Sequence, residues 1–136
     1  MSDIPWKELT EAASQARAAA YAPYSSYQVG AALLSGDGRI FAGCNVENAS
    51  YGLALCAERS AVAQLIAAGQ RSIAALVVVT AGPEPGPPCG LCRQTLSEFA
   101  TDLPIGLAVA GDEAPRVIKN LRELFPDPFR GDLVKG

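Results

Sequence analysis

Apolar positions recur at two different periods along this chain, and the switches between them mark its elements. From residue 7 to residue 20, Leu9, Ala13, Ala16 and Ala20 fall at helical spacing in an alanine-rich run. That predicts a first helix, ended before Pro23, whose ring disfavours helical backbone in the residue ahead of it. Residues 27–34 and 39–44 read as the two strands of a hairpin, because Ser35-Gly36-Asp37-Gly38 between them is a strong turn sequence. Residues 45–54, with their Asn, Gly and Ser, read as loop. A second helix is expected from Cys56 to Ala68, closed by Gly69, with alanines that allow close packing. Ile73–Thr80 is an unbroken apolar run with three valines, the pattern of a strand covered on both faces. Residues 81–88 hold four of the ten prolines and two glycines, a stiff loop. A helix over 90–100, a strand over 105–110, a short strand near 116–118 and a short helix at Leu121–Phe125 complete the pattern, with Asn120 and Glu123 spaced as a capping box. The tail from about residue 126 reads as irregular. Strands alternating with helices predict an α/β sandwich, helices on both faces of a mixed sheet. Length and the absence of an internal repeat predict one domain over residues 1–136.

Composition narrows the function classes. Apolar residues make up 49% of the chain, which fits a soluble globular protein. Net charge is −3 and no basic stripe is present, so RNA and DNA are not expected partners. No uninterrupted apolar stretch approaches 18 residues, so no membrane span is expected. The opening MSDIPWKEL lacks a basic stretch followed by an apolar run, so no signal peptide is expected and the cytosol is the expected compartment. In that compartment, four cysteines point to metal binding or catalysis rather than disulfides.

The chemistry is concentrated in two short segments, Cys56-Ala57-Glu58-Arg59 and Pro88-Cys89-Gly90-Leu91-Cys92, their first cysteines 33 residues apart. Three thiolates with a fourth position open to water is one way to build a catalytic zinc site. The chain has no histidine, so any proton shuttle near neutral pH must be a perturbed carboxyl or thiol, and Glu58 is the candidate. Cys89 and Cys92, three apart at a helix start, share a face. Cys56 and Glu58, two apart, would diverge by about 200° on a regular helix. They can serve one site only if Cys56 lies in the opening turn and the metal sits off the helix end. Two positive helix N-termini at one zinc would then offset the net −1 of three thiolates and Zn²⁺. Arg59, which the helix dipole disfavours in a first turn, would help by hydrogen bonding to the cysteine sulfurs. The competing reading is a structural site of four cysteines, with Cys44 closing the tetrahedron. That site has no use for Glu58, and Cys44 otherwise reads as a buried core residue.

The pattern C-x-E followed by P-C-x-x-C matches that of the zinc nucleobase deaminases, with cysteine in place of their histidine. Together with YAPYSSYQVGAAL (21–33), GCNVENASYG (43–52), CAERSA (56–61), PCGLCRQ (88–94) and RELFPDPF (122–129), it makes the chain resemble the small three-cysteine cytidine deaminases from about Pro5 to Phe129. The resemblance implies a three-layer α/β/α sandwich with a five-stranded mixed sheet, one zinc per chain, and a homotetramer with active sites shared between subunits. It implies that Asn45 and Glu47 contact the ribose 3′-hydroxyl. It also implies that Tyr27, where the family often has Phe, lies against the pyrimidine and sugar, and that backbone groups of Ala57 and Cys89 hold the amino end of the base. The same resemblance gives Tyr51 and Phe129 a place in an adjacent subunit's site, and Arg59 its contact with the sulfurs. Arg93 and Gln94 receive no catalytic role.

The reading that follows is hydrolytic deamination of cytidine and 2′-deoxycytidine to the corresponding uridines, with a nucleoside rather than a nucleic acid as partner. Glu58 would act first as base and then as acid, passing protons to N3 and to the leaving amino group. Two alternatives stand beside it. One is deamination of a nucleoside-like antibiotic such as blasticidin S, against which the Asn45-x-Glu47 pair argues. The other is a non-enzymatic zinc-binding module.

Overall fold

A five-stranded sheet forms the centre of the computed structural model, which describes residues 3–134. The two residues at each end of the expected domain lie outside the described residues. In chain order the elements are α1 (Trp6–Ala18), β1 (Gly30–Ser35), β2 (Ile40–Cys44), α2 (Ala57–Ala67), β3 (Ile73–Thr80), α3 (Gly90–Ser97), β4 (Pro104–Val109), β5 (Val117–Asn120) and α4 (Leu121–Leu124). Single turns of 3-10 helix lie at Tyr51–Leu53 and Gly131–Leu133. The strand order is β2-β1-β3-β4-β5. Only the β3–β4 pair is parallel, joined through α3, and the other pairs are antiparallel. The mixed sheet with helices on both faces is the expected architecture.

Strand periodicity sorts the core into two halves. Ala32 and Leu34 of β1 and Ala75, Val77 and Val79 of β3 face Leu9 and Ala13 of α1. Their alternates, Ala31, Leu33, Leu76 and Val78, face Ala57, Ala61, Val62 and Leu65 of α2. Covered on both faces, β3 can be apolar at nearly every position. Two glycines set the helices down on the sheet. A Cβ at Gly30 would overlap the Ala13 carbonyl oxygen of α1. On the opposite face, a Cβ at Gly43 would lie 2.5 Å from the Ala61 backbone nitrogen of α2. The close seat of α2 fixes where its N-terminus points, and that end carries Cys56.

Several ends differ from the sequence expectation, most of them because another hydrogen bond competes. The first helix stops two residues early, since Tyr21 N–H donates to Asn45 O at 3.0 Å and leaves the helical path. β1 begins at Gly30 rather than residue 27, because Val29 N–H is taken by the Asn45 side-chain oxygen at 2.8 Å. α3 ends at Ser97 rather than residue 100, with Phe99 and Ala100 N–H both turning back to Leu96 O. β5 is shifted one to two residues later than expected. The capping box is present: Asn120 Oδ1 accepts from Arg122 N–H at 3.0 Å, and Glu123 Oε1 accepts from Asn120 N–H at 2.9 Å. Within the described residues the tail is irregular apart from its one 3-10 turn.

Candidate active site

Cys56 and Cys89 are the N-cap residues of α2 and α3, each with extended backbone. Their carbonyls accept the first helical bonds, from Ser60 N–H and Arg93 N–H, while their thiols project off the helix ends. This resolves the spacing of Cys56 and Glu58: the cysteine stands outside the regular helix. Cys92 lies in the first turn of α3 and is fully buried. The Sγ atoms are 3.8 Å apart for Cys56–Cys89 and 3.6 Å for Cys89–Cys92, all three within 4.8 Å of one another. A tetrahedral zinc with Zn–S bonds of about 2.3 Å has sulfurs about 3.8 Å apart, so the cluster fits that ion. The Cys56 thiol is held down to about 5 by the neighbouring Cys92 thiol, by Arg59 and by Cys89. The Cys92 thiol is pushed up by the Cys56 sulfur beside it and by burial. A first thiolate is therefore ready at Cys56, and the other protons leave when metal binds.

Glu58, in the first turn of α2, is 6% exposed. Burial raises its carboxyl above the ordinary value, and the charge of Cys56 adds to the effect. Those are the conditions that let a carboxyl both take and give protons. Arg59 reaches back to the loop before the helix. Its Nη2 donates to Ala54 O at 3.1 Å and lies 3.9 Å from Cys56 Sγ. Its Nε is buried with no partner among the described residues.

Above the thiols opens a cavity of about 260 Å³. Cys56, Ala57, Glu58 and Cys89 form its floor. Tyr27, Val29, Asn45, Val78, Thr80, Gly86 and Pro87 complete its lining. It lies where β3 ends and hands over to the loop before α3, the usual place for ligands on open α/β sheets. A larger groove of about 560 Å³ runs along α1 past Glu8, Glu11, Asp112 and Glu113. It has no thiol in its lining, so the smaller cavity is the chemical site. At the rim, half-buried Asn45 donates from Nδ2 to Tyr27 O at 2.9 Å in addition to its bond from Val29 N–H. Glu47 Oε1 accepts from Tyr24 N–H at 2.9 Å and Ser25 N–H at 3.1 Å, and Oε2 accepts from the Ser25 hydroxyl. The Ser25 bond comes first among the causes that hold the Glu47 carboxyl below its ordinary value.

Residues 5–105 match the family described as the cytidine and deoxycytidylate deaminase zinc-binding region. The cytidine deaminase of Halalkalibacterium halodurans is 52% identical over 125 residues, covering 91% of this chain and 93% of that protein. The cytidine deaminase of Mycobacterium tuberculosis is 46% identical over 134 residues, covering 95% and 92%. The chain belongs to the cytidine deaminase family. The crystal structure of the Burkholderia pseudomallei cytidine deaminase superposes with a TM-score of 0.85 at 45% identity, covering 93% of this chain and all of that one. The five-stranded sheet and its helices are thus the cytidine deaminase fold, and the three-cysteine cluster is a zinc-binding site.

A cytidine deaminase site leaves Cys44 aside. Cys44 ends edge strand β2 on the α1 side of the sheet, two residues after Ala42, whereas the zinc cluster gathers at the start of α2 on the other side. It is half-buried rather than a core residue, because the edge strand is covered incompletely at its end. Tyr27, Asn45, Ala57, Glu58 and the three cluster cysteines come together around the cavity or its floor. Glu47 is not part of the cavity lining and is held by Tyr24 and Ser25 instead. Tyr51 and Phe129 lie outside the cavity lining, the two residues 80% and 58% exposed. Phe125 packs against the α2-side core. Sequence reasoning missed Val78, Thr80, Val29, Gly86 and Pro87, which also line the cavity. The alternation of β3 carries a signal for the first two, since both point to the α2 side. Arg93 and Gln94 hold structure instead: Arg93 Nη1 donates to Leu124 O at 2.7 Å, and Gln94 bonds the Phe129 backbone with both amide atoms, at 2.9 and 3.2 Å.

Proposed function

We propose that this chain hydrolyses cytidine and 2′-deoxycytidine to uridine and 2′-deoxyuridine, releasing ammonia. The observation that carries the reading is a buried carboxyl, Glu58, beside three convergent cysteines on the floor of one cavity. Cys56, Cys89 and Cys92 would hold the zinc, which supplies an acidified water when bound. Glu58 moves the protons, one to N3 of the ring and a second to the departing amino group. Arg59 leans toward the Cys56 sulfur and moderates its electron donation. The ring of Tyr27 covers the pyrimidine, backbone groups of Ala57 and Cys89 hold its amino end, and Asn45 and Glu47 receive the 3′-hydroxyl. Asn45 uses one donor and one acceptor on the backbone and keeps one of each for a sugar.

The substrate in this reading is the free nucleoside. Among the described residues no lysine or arginine lines the cavity, and an anionic Glu47 at the sugar opposes a phosphate. The chain acts in the cytosol as a single domain, and among the described residues no helix is long and apolar enough to cross a membrane. It assembles as a homotetramer in which Tyr51 and Phe129 reach neighbouring sites, an arrangement supported by their exposure on the isolated chain. The test is to follow the ultraviolet absorbance of cytidine, deoxycytidine and CMP with purified protein. Both nucleosides should turn over and CMP should not. A comparable rate on CMP overturns the nucleoside reading.

A further inference from the structure

We propose that Ser25 is a positioning residue that holds the sugar-facing carboxylate of Glu47 and the backbone of Tyr27 in one fixed relation, and so sets how strongly the site discriminates by the sugar 3′-hydroxyl. This rests on the reading of Glu47 as a sugar contact. The Ser25 hydroxyl donates to Glu47 Oε2 and accepts from Tyr27 N–H at 3.0 Å, so one oxygen joins the two groups. Glu47 Oε1 is occupied by the Tyr24 and Ser25 N–H groups. A carboxylate has about four acceptor positions. Three are filled from this one turn, which fixes the plane of the carboxylate and leaves the last position to a ligand. A group held in its binding geometry beforehand loses less freedom on binding.

The backbone of the turn supports the same conclusion. Ser26 has φ +60°, an uncommon conformation for a residue other than glycine. Such strain persists where the surroundings over-determine it, and it collects at functional sites. Here the neighbours on both sides are tied down: Tyr24 and Ser25 to Glu47, Tyr27 to Asn45, and Ser26 N–H to Ala22 O at 3.0 Å. The turn is further pinned by Glu47 N–H to Tyr21 O at 2.8 Å. Ser25 itself is exposed and outside both core clusters, so removing its hydroxyl leaves the core packing untouched.

The experiment compares Ser25→Ala and Ser25→Thr with the parent enzyme on cytidine and on 3′-deoxycytidine, the latter as substrate or competitor. Loss of one charge-assisted bond should raise the KM for cytidine by roughly tenfold while kcat changes by less than about twofold. Zinc content should be unchanged and the protein should still unfold cooperatively, and Ser25→Thr should restore KM. With 3′-deoxycytidine, which lacks the hydroxyl that Glu47 receives, Ser25→Ala should change affinity little. An unchanged cytidine KM, or an equal loss on both nucleosides, overturns the proposal. An NMR titration of the Glu47 side-chain carboxyl adds a readout free of turnover. Ser25→Ala should move it up toward the ordinary glutamate range, and an identical titration in both proteins overturns the proposal as well. Failure of the parent enzyme to turn over cytidine sinks the substrate reading separately, and the titration still decides the role of Ser25.

Discussion

Glu58 and Cys44 carry opposite expectations for the same kind of experiment. Glu58 is buried beside the thiols, and its carboxyl is raised by that burial. Glu58→Gln keeps the shape and removes the proton shuttle, so zinc content should hold while kcat falls by about 10²–10⁴-fold, the usual worth of a positioned acid–base group. Near-normal turnover in this variant would remove Glu58 from the mechanism. Cys44 lies on the far side of the sheet from the cluster, so Cys44→Ala should retain about one zinc per chain and full activity, with three sulfurs and one lighter ligand by X-ray absorption. Four sulfurs in the parent spectrum would bring back the closed structural site. Of the two, only Glu58 was recognisable as special from its neighbours in sequence, because a carboxylate flanked by thiols two residues and about thirty residues away has few other uses. The tether from Ser25 to Glu47 was not recognisable: it joins residues 22 apart through a turn whose left-handed Ser26 breaks the usual glycine rule.

At the scale of elements, the site depends on how closely α2 seats on the sheet. Gly43 faces Ser60 and Ala61 with no room for a side chain. Gly43→Val should lift α2, costing about 1–3 kcal/mol through overpacking, and should weaken zinc retention because Cys56 caps the displaced helix. Thermal unfolding and a competition with a chelator read the two effects, and loss of stability with unchanged zinc affinity would separate the helix seat from the metal site. The strands and helices themselves were legible because β3 is uniformly apolar, the hairpin turn is rich in glycine, and α4 carries its own capping pair. Their ends were less so. Asn45 spends its side chain on Val29 and Tyr27 and its backbone on Tyr21, long-range bonds that no local pattern announces. Part of the cavity lining was hidden for a related reason: Val78 and Thr80 read as ordinary strand residues until the sheet brings them into one cavity with Cys56 and Glu58.

For the whole molecule, the remaining question is what covers the apolar side chains that one chain leaves in water. Tyr51, Leu53, Leu91 and Phe129 are all well exposed. Phe129 is the most informative, because its backbone is not loose: Gln94 of α3, two residues after Cys92, grips it at both the N–H and the carbonyl. A tail that is held firmly while its ring stands free is suited to insert that ring into a neighbour. Phe129→Ala should therefore leave the tail in place, leave zinc content intact and weaken nucleoside binding by about 1 kcal/mol, the order of one lost aromatic contact. If the ring serves only its own chain, the loss should be the same at every protein concentration. If it completes a neighbouring site, affinity should fall as the parent protein is diluted below its assembly range. Light scattering at matched concentrations supplies the oligomeric state, with a tetramer expected. A monomer with full activity would rule out shared sites while leaving the cytidine deaminase chemistry of the single chain standing.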